Sequence, residues 1–180
     1  PAGRWETWRC DGGRKVPTGF DSIPDEDGRA VYLKAGYEMK EQDAGLGIHY
    51  RVSGNGERSV RMYVKPGSKP LTEIPRFGMR MILPAEYEHM TWLGRGPHEN
   101  YADRKSSAAI GRYEATVWEQ YHPYVRPQET GNECDVRWLS RTNTSGEGIR
   151  ITGEKPLSTS AWNFPMEDIE YIPFDIERKH

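Results

Sequence analysis

The sequence predicts an all-β fold, and three observations support this prediction. No stretch of the 180 residues shows the sustained apolar periodicity of an amphipathic helix. Turn-forming residues recur throughout the chain, which contains 19 glycines and 13 prolines. Between them lie short segments in which apolar and polar residues alternate, the pattern of strands with one buried face. We expect about six to nine strands, a number that fits an antiparallel sandwich.

The first half of the chain contains the clearest strand patterns. Residues 1–28 are rich in glycine and charge without alternation, so we expect an irregular lead-in there. Ala30–Lys40 is a predicted strand. A hairpin is predicted over Ile48–Val64, because two alternating segments flank a turn at Ser53–Glu57. The Asn-Gly pair in that turn favours the positive φ that a tight hairpin needs. A loop is expected at Pro66–Pro70.

The second half of the chain shows the same alternation of strand patterns and turns. Strands are predicted at Phe77–Leu83, Glu88–Leu93, Ile110–Trp118, Cys134–Leu139, Gly148–Thr152 and 158–164. Tyr121–Asn132 is a predicted loop, because its prolines lack the donor that a central strand requires. Asn143–Gly146 is expected to form a polar turn, and Met166–Tyr171 a helical turn. We therefore expect one domain over 1–180, with the sandwich at 30–180.

The composition excludes several classes of function. The 25 basic and 27 acidic residues leave a net charge of −2, which argues against nucleic-acid binding. No apolar run approaches the roughly 20 residues of a membrane span, so no membrane partner is expected. The five histidines are scattered without metal-ligand spacing, so no metal site is predicted. Cys10 and Cys134 are predicted to be reduced thiols, with a disulfide between them as the alternative.

One segment near the middle concentrates the polar chemistry. In Trp92–Arg104, two glycines and a proline follow an apolar pair, and a dense polar cluster comes next. The segment resembles the G-x-G-P-x-E-x-Y-x-D-R signature of the C-terminal β-sandwich domain in β-galactosidases of glycoside hydrolase family 2. The positions that carry the resemblance are Gly94, Gly96, Pro97, Glu99, Asn100, Tyr101, Asp103 and Arg104. Further similarity lies in Pro75–Gly78, Pro123–Gln128 and Ser160–Phe164.

The resemblance implies a large antiparallel two-sheet supersandwich, similar to galactose mutarotase. The family domain is longer, so we expect this chain to be a piece of a larger protein, incomplete after His180 and with an open sheet edge there. The parent enzymes hydrolyse terminal β-D-galactosides such as lactose with retention. Their catalytic glutamates and metal ions lie in a barrel domain that this sequence lacks. We therefore expect no catalytic residue and no cofactor in this chain, and no hydrolase activity from it alone.

The resemblance also implies the partners. The domain is expected to contact the remaining domains of the parent β-galactosidase, to shape its active-site entrance and to support its assembly. A galactoside is expected at most at the periphery, and assembly into a homo-oligomer is left open. The compartment is not decided between the bacterial cytoplasm and the periplasm.

Three other interpretations of the residues remain open. Glu99 and Asp103 are four residues apart and match the paired carboxylates that glycoside hydrolysis needs. The structural alternative is that Arg104 or Arg95 neutralises one carboxylate and backbone amides cap the other, and we favour this alternative. A third interpretation is a pure interaction scaffold with large apolar patches.

A carbohydrate-binding or mutarotase-like module is the alternative function. The excess of six Trp and ten Tyr over four Phe suits sugar stacking as well as core packing. His122-Pro123-Tyr124 resembles a His-x-Tyr loop of mutarotases, which use a histidine and a glutamate as acid and base to open the sugar ring. The resemblance implies such a role for His122, with Glu129 or Glu133 nearby in the sequence as the glutamate. The sugar-site candidates are His122, Tyr124, Arg126, Gln128 and Glu129.

Overall fold

Eight β-strands in two antiparallel sheets make up almost all the regular structure of the computed structural model, which describes residues 8, 15–70, 72–126, 128–166 and 168. The chain divides into two compact units, Pro1–Arg80 and Met81–His180, and each unit contains one sheet. The all-β class and the two antiparallel sheets are therefore confirmed. The assignment of 1–180 to one domain stays a prediction. In the described part of the chain, no helix has the length and apolarity needed to cross a membrane.

The first unit is a four-stranded meander. Its strands are β1 (Val16–Pro24), β2 (Ala30–Met39), β3 (Ala44–Ser53) and β4 (Arg58–Pro66), in the order β1-β2-β3-β4. The predicted hairpin is β3–β4, in which Ile48 pairs with Met62 and Val52 with Arg58. Gly56 has a φ of 90°, so the turn uses the positive φ that its sequence favours.

The core of the first unit lies where β2, β3 and β4 meet. Met39, Ala44 and Leu46 are buried there, and partly buried apolar residues, among them Ile48 and Val64, pack against them. The register places Leu46 opposite Val64 on one face of the sheet. Alternating apolar residues on neighbouring strands thus share one face, which is the arrangement that their period of two predicts.

The prediction of an irregular lead-in over 1–28 is wrong for Val16–Pro24, which is strand β1. All nine residues of this edge strand are exposed, and β2 is the one strand of the described residues with which it pairs. A strand without a buried face needs no apolar alternation, because backbone pairing alone holds it. The pattern used to find strands was therefore absent.

The second unit contains β5 (His89–Gly96), β6 (Ala109–Thr116), β7 (Glu133–Thr142) and β8 (Gly148–Thr159), in the order β6-β5-β7-β8. Trp92 is fully buried and lies opposite Tyr113 on one side and Leu139 on the other. Met90, Trp92, Val136 and Leu139 form the core. The polar turn predicted between β7 and β8 is present, with the Asn143 amide hydrogen-bonded to Glu147 O at 2.9 Å.

Two predicted strands are wrong. Phe77–Leu83 is not a strand, and Phe77, Met79 and Met81 are about half exposed, at 50%, 51% and 47%. Alternation is necessary for a half-buried strand, but a strand also needs backbone pairing with another strand, and Phe77–Leu83 belongs to neither sheet of the described residues. The strand predicted at 158–164 ends as part of β8 at Thr159.

Beyond β8, side-chain contacts replace backbone pairing. The Ser160 hydroxyl donates to Asn132 Oδ1 at 3.2 Å, and the Trp162 indole donates to Thr130 O at 2.7 Å. Met166 and Asp168 adopt the 3₁₀ conformation, and 167 and 169–171 of the predicted helical turn lie outside the described residues. This end of the described chain is thus attached to the loop before β7.

Candidate functional site

The glycines of the Trp92–Arg104 segment are packing requirements of strand β5, which runs through to Gly96. A Cβ on Gly94 would lie 2.8 Å from Val136 Cγ2 and 2.9 Å from Val136 Cα. A Cβ on Gly96 would lie 2.7 Å from Tyr113 Cδ2. A larger residue would therefore displace Val136 or separate β5 from β7 at Gly94, and would displace the Tyr113 ring at Gly96. The Gly96–Pro97 peptide bond is cis, and the chain leaves the sheet at Pro97.

Asn100 attaches the loop after β5 to the beginning of β7. Its side chain is fully buried. Nδ2 donates to His98 O at 3.0 Å and to Glu133 Oε2 at 2.6 Å, while Oδ1 accepts the Cys134 amide at 2.8 Å. Its own amide donates to Asn132 O at 2.7 Å. One side chain therefore satisfies polar groups on both segments.

Asn132 continues this network to strand β8. Its Nδ2 donates to Asn100 O at 2.7 Å, and its Oδ1 accepts the Ser158 hydroxyl at 2.8 Å. The preceding residue, Gly131, has a φ of +66°, and a Cβ there would lie 2.6 Å from Gln120 O. Glycine is required at 131 by both conformation and space. The sequence analysis did not single out Asn132, because no short motif marks it.

Glu133 is the buried acid of this network. It is fully buried, and its Oε1 finds no hydrogen-bond partner among the described residues. Burial raises the pKa of the Glu133 carboxyl to about 8, the Asn100 hydrogen bond opposes the rise, and the negative charge of Glu99 adds to it. The carboxyl thus holds a proton at neutral pH but does not reach solvent.

Glu99 is neutralised within the loop. Its Oε1 accepts a hydrogen bond from Arg104 Nη2 at 3.0 Å, and its Oε2 accepts the Gly131 amide at 2.8 Å. One carboxylate therefore receives both the ion pair and the amide cap of the favoured interpretation. Arg95 instead pairs with Asp135, with Nε 2.6 Å from Oδ2. Arg95 is therefore paired with a carboxylate of β7 and not with Glu99 of the loop.

Arg104 is held by aromatic residues as well as by Glu99. Its Nη2 donates to the Tyr124 hydroxyl at 3.0 Å. Its guanidinium lies 4.6 Å from the centre of the Tyr101 ring and 5.7 Å from that of Tyr124. Burial raises the pKa of Tyr101 to about 12, with Glu99 and Glu129 adding to the effect. The guanidinium therefore contacts two aromatic rings, although the Arg104 side chain is 51% exposed.

A pocket of about 340 Å³ opens beside this arginine. It is lined by residues of the loop after β5 and of the loop before β7, namely Tyr101, Asp103, Arg104, Gln128 and Glu129. Two of the sugar-site candidates predicted from the sequence, Gln128 and Glu129, thus line the same pocket as three residues of the Trp92–Arg104 family signature. No sequence pattern connects the two loops, which are more than 20 positions apart in the chain.

The other sugar-site candidates lie elsewhere in the loop before β7. The His122 ring contacts the Tyr124 ring, with centroids 4.4 Å apart, and the His122 amide donates to Thr130 Oγ1 at 2.6 Å. Arg126 is exposed. Neither His122 nor Arg126 lines the pocket, and Tyr124 acts on it only through Arg104.

The described residues contain no group of three or more His, Cys, Asp or Glu side chains placed to hold a metal ion. Cys134 is a free, buried thiol, which confirms the predicted reduced state for this residue. Cys10 lies outside the described residues.

Comparison with known proteins gives one consistent result. The protein-family model for the β-galactosidase small chain matches residues 2–179. A β-galactosidase of Priestia megaterium is 39% identical over 130 residues, which are 72% of this chain and 12% of that protein. The β-galactosidase BgaC of Bifidobacterium adolescentis is 44% identical over 100 residues, 53% of this chain and 9% of its own length. A Streptococcus thermophilus β-galactosidase is 29% identical over 166 residues, 91% of this chain.

The similarity is confined to a small part of each relative. The match covers 12% of the Priestia protein, 9% of BgaC and 16% of the Streptococcus protein. Most of the length of those β-galactosidases therefore has no counterpart in these 180 residues.

Proposed function

Because the chain belongs to the β-galactosidase small chain family, we propose that it is a non-catalytic domain of a β-galactosidase. In this proposal the parent enzyme hydrolyses terminal β-D-galactosides with retention at a site supplied by its other domains. This domain shapes the entrance of that site and supports assembly. The metal ions of the parent would likewise be held by residues outside this chain.

One observation carries the proposal: of the two carboxyl groups next to Asn100 and Asn132 in the chain, Glu133 is buried and bonded to Asn100, and Glu99 is bonded to Arg104 and the Gly131 amide. Retaining hydrolysis needs two carboxyl groups about 5–5.5 Å apart, both touching the glycosidic bond. Glu133 has the raised pKa of a general acid but is fully buried. Glu99 is bound to Arg104 and to the Gly131 amide. Both groups therefore stabilise the loops and are poorly suited to contact a substrate.

The absence of hydrolysis is tested with the purified chain and 4-nitrophenyl β-D-galactopyranoside. We expect a rate equal to that in buffer, while the Priestia megaterium β-galactosidase serves as the positive control. Asp103 and Glu129 are the carboxylates that line the pocket. Hydrolysis by the chain that disappears in Asp103→Asn or Glu129→Gln would overturn the proposal.

The role in assembly is tested by complementation. A β-galactosidase polypeptide without its small-chain region is mixed with this chain, and its activity and molecular mass are measured. We expect the chain to join the complex and raise the activity. The Asn100→Ala variant, which loses the loop network, is expected to complement less well. A chain that neither joins the complex nor changes its activity would contradict the assembly role.

The mutarotase-like alternative has its own test. Polarimetry of α-D-galactose in the presence of the chain measures directly whether ring opening is accelerated. Under the proposal we expect no acceleration over buffer. Acceleration that is lost in His122→Ala would replace the proposal with proton transfer at His122.

A further inference from the structure

We propose that the pocket beside Arg104 is a binding site for a neutral saccharide ring. The residues assigned to ligand contact are Asp103, Arg104, Gln128 and Glu129. This inference rests on the proposed function only for the choice of a galactoside as the probe. It concerns binding and requires no catalytic activity of the chain.

The size and the chemistry of the pocket fit a monosaccharide unit. Its volume of about 340 Å³ lies at the small end of the range of ligand pockets, about 300–1,000 Å³. Each carboxylate accepts several hydrogen bonds, the glutamine amide both donates and accepts, and the guanidinium donates. Adjacent hydroxyl groups of a sugar offer donors and acceptors at the spacing of such planar groups.

The central group of the pocket is already fixed in place. Arg104 is bound to Glu99 Oε1 at 3.0 Å and to the Tyr124 hydroxyl at 3.0 Å, and its guanidinium lies over the Tyr101 ring. Glu99 is held in turn by the Gly131 amide at 2.8 Å. A ligand therefore does not have to order this side chain. Such preorganisation lowers the entropic cost of binding.

The charges of the lining residues favour a neutral sugar over the competing class of ligand, an organic cation. Asp103 and Glu129 each carry a carboxylate, and the positive charge of Arg104 is already shared with Glu99. An organic cation is therefore the alternative ligand of this pocket. The Arg104 guanidinium between the two rings opposes it, because a cation would approach a fixed positive charge.

The test is an amide NMR titration of the isotope-labelled chain with methyl β-D-galactopyranoside at millimolar concentrations, with putrescine as the cationic probe. We expect saturable shifts from the glycoside, localised to residues 99–104 and 128–131, and none of comparable size from putrescine. Gln128→Ala and Asp103→Asn are each expected to weaken binding about tenfold, the loss of one good hydrogen bond to a charged or amide group. Asp27→Asn, an exposed aspartate in the β1–β2 turn, is the matched control and is expected to leave binding unchanged.

Each result decides the proposal. Localised shifts that weaken in both pocket variants and persist in Asp27→Asn support it. A well-dispersed spectrum that does not move with the glycoside overturns it, and so do shifts that are unaffected by the pocket variants. Localised shifts from putrescine alone identify a cation site and also overturn it. The hydrolysis assay with 4-nitrophenyl β-D-galactopyranoside is independent of these shifts, so failure of the proposed function is recognised separately.

Discussion

Asn100 Nδ2 donates a hydrogen bond of 2.6 Å to Glu133 Oε2, and both side chains are fully buried although they are 33 positions apart in the chain. The same amide group donates to His98 O, and the Asn100 Oδ1 accepts the Cys134 amide. The pair therefore connects the loop after β5 to the beginning of β7. These are the two segments from which the pocket is built.

Asn100→Ala is expected to destabilise the chain strongly. The substitution leaves Glu133, the Cys134 amide and His98 O without a buried partner, and each such loss costs about 1–3 kcal/mol. We expect the free energy of unfolding to fall by about 3 kcal/mol, since the losses in one network are not additive. Urea denaturation followed by circular dichroism measures it. Asn163→Ala, at an exposed position, is the control, and an equal loss in both variants would contradict the role of Asn100.

Glu133 is expected to make the chain less stable as the pH rises. Its pKa is about 8 in the folded chain against an ordinary value of 4.5, so the folded state binds more protons between these values. The free energy of unfolding therefore falls by up to about 1.4 kcal/mol for each pH unit in that window and levels off above it. Glu133→Gln keeps an acceptor for Asn100 and cannot ionise, so we expect its stability to be nearly independent of pH there.

The measurement is urea denaturation of both proteins between pH 5 and pH 9, which covers most of the window between the two pKa values and the levelling off above it. Asp43, Glu119 and Asp135 have pKa values below their ordinary values of 3.8 and 4.5, so their stabilising contributions are lost at more acidic pH. They do not obscure the Glu133 effect. Glu86→Gln, at an exposed turn, is the control. A parallel pH dependence in Glu133→Gln and in the unmodified chain would show that Glu133 is not its cause.

The sequence was sufficient for features that depend on neighbouring residues. The β3–β4 hairpin was predicted because alternation and an Asn-Gly turn lie within one short segment, Ile48–Val64. The resemblance of Trp92–Arg104 to a family signature was likewise local. The long-range partners were not predictable in this way. Asn132 and Glu133 acquire their roles from Asn100, which only the folded chain brings close.

One predicted strand is absent from the structure and one observed strand was not predicted, and both errors have the same physical reason. Phe77–Leu83 has the alternation of a strand but belongs to neither sheet of the described residues. Val16–Pro24 lacks the alternation and is nevertheless strand β1, because it pairs with β2. Apolar alternation reports a buried face, whereas strand formation depends on backbone pairing. The second requirement is not visible in a single segment.

Cys134 is expected to be unreactive until the chain unfolds. Its side chain is only 5% exposed, and its thiol donates to Asn100 O at 3.5 Å. In a Cys10→Ser variant, Cys134 is the remaining cysteine. We expect slow modification by 5,5′-dithiobis(2-nitrobenzoic acid) in buffer and full modification in urea, because the reagent cannot reach the buried sulfur until the chain unfolds. Rapid modification in buffer would contradict a buried thiol at the beginning of β7.

Gly94→Ala is expected to destabilise the chain although alanine is the smallest possible addition. The new Cβ would lie 2.8 Å from Val136 Cγ2 and 2.9 Å from Val136 Cα, so β5 and β7 would have to separate or Val136 to shift. Overpacking of this kind costs about 1–3 kcal/mol. Gly78→Ala is the matched control, because a Cβ at Gly78 meets nothing within 4 Å. Its entropic effect on the unfolded chain is the same, so the difference between the two variants isolates the contact with Val136. Thermal unfolding followed by circular dichroism measures both variants, and equal midpoints would show that Gly94 is not required by packing.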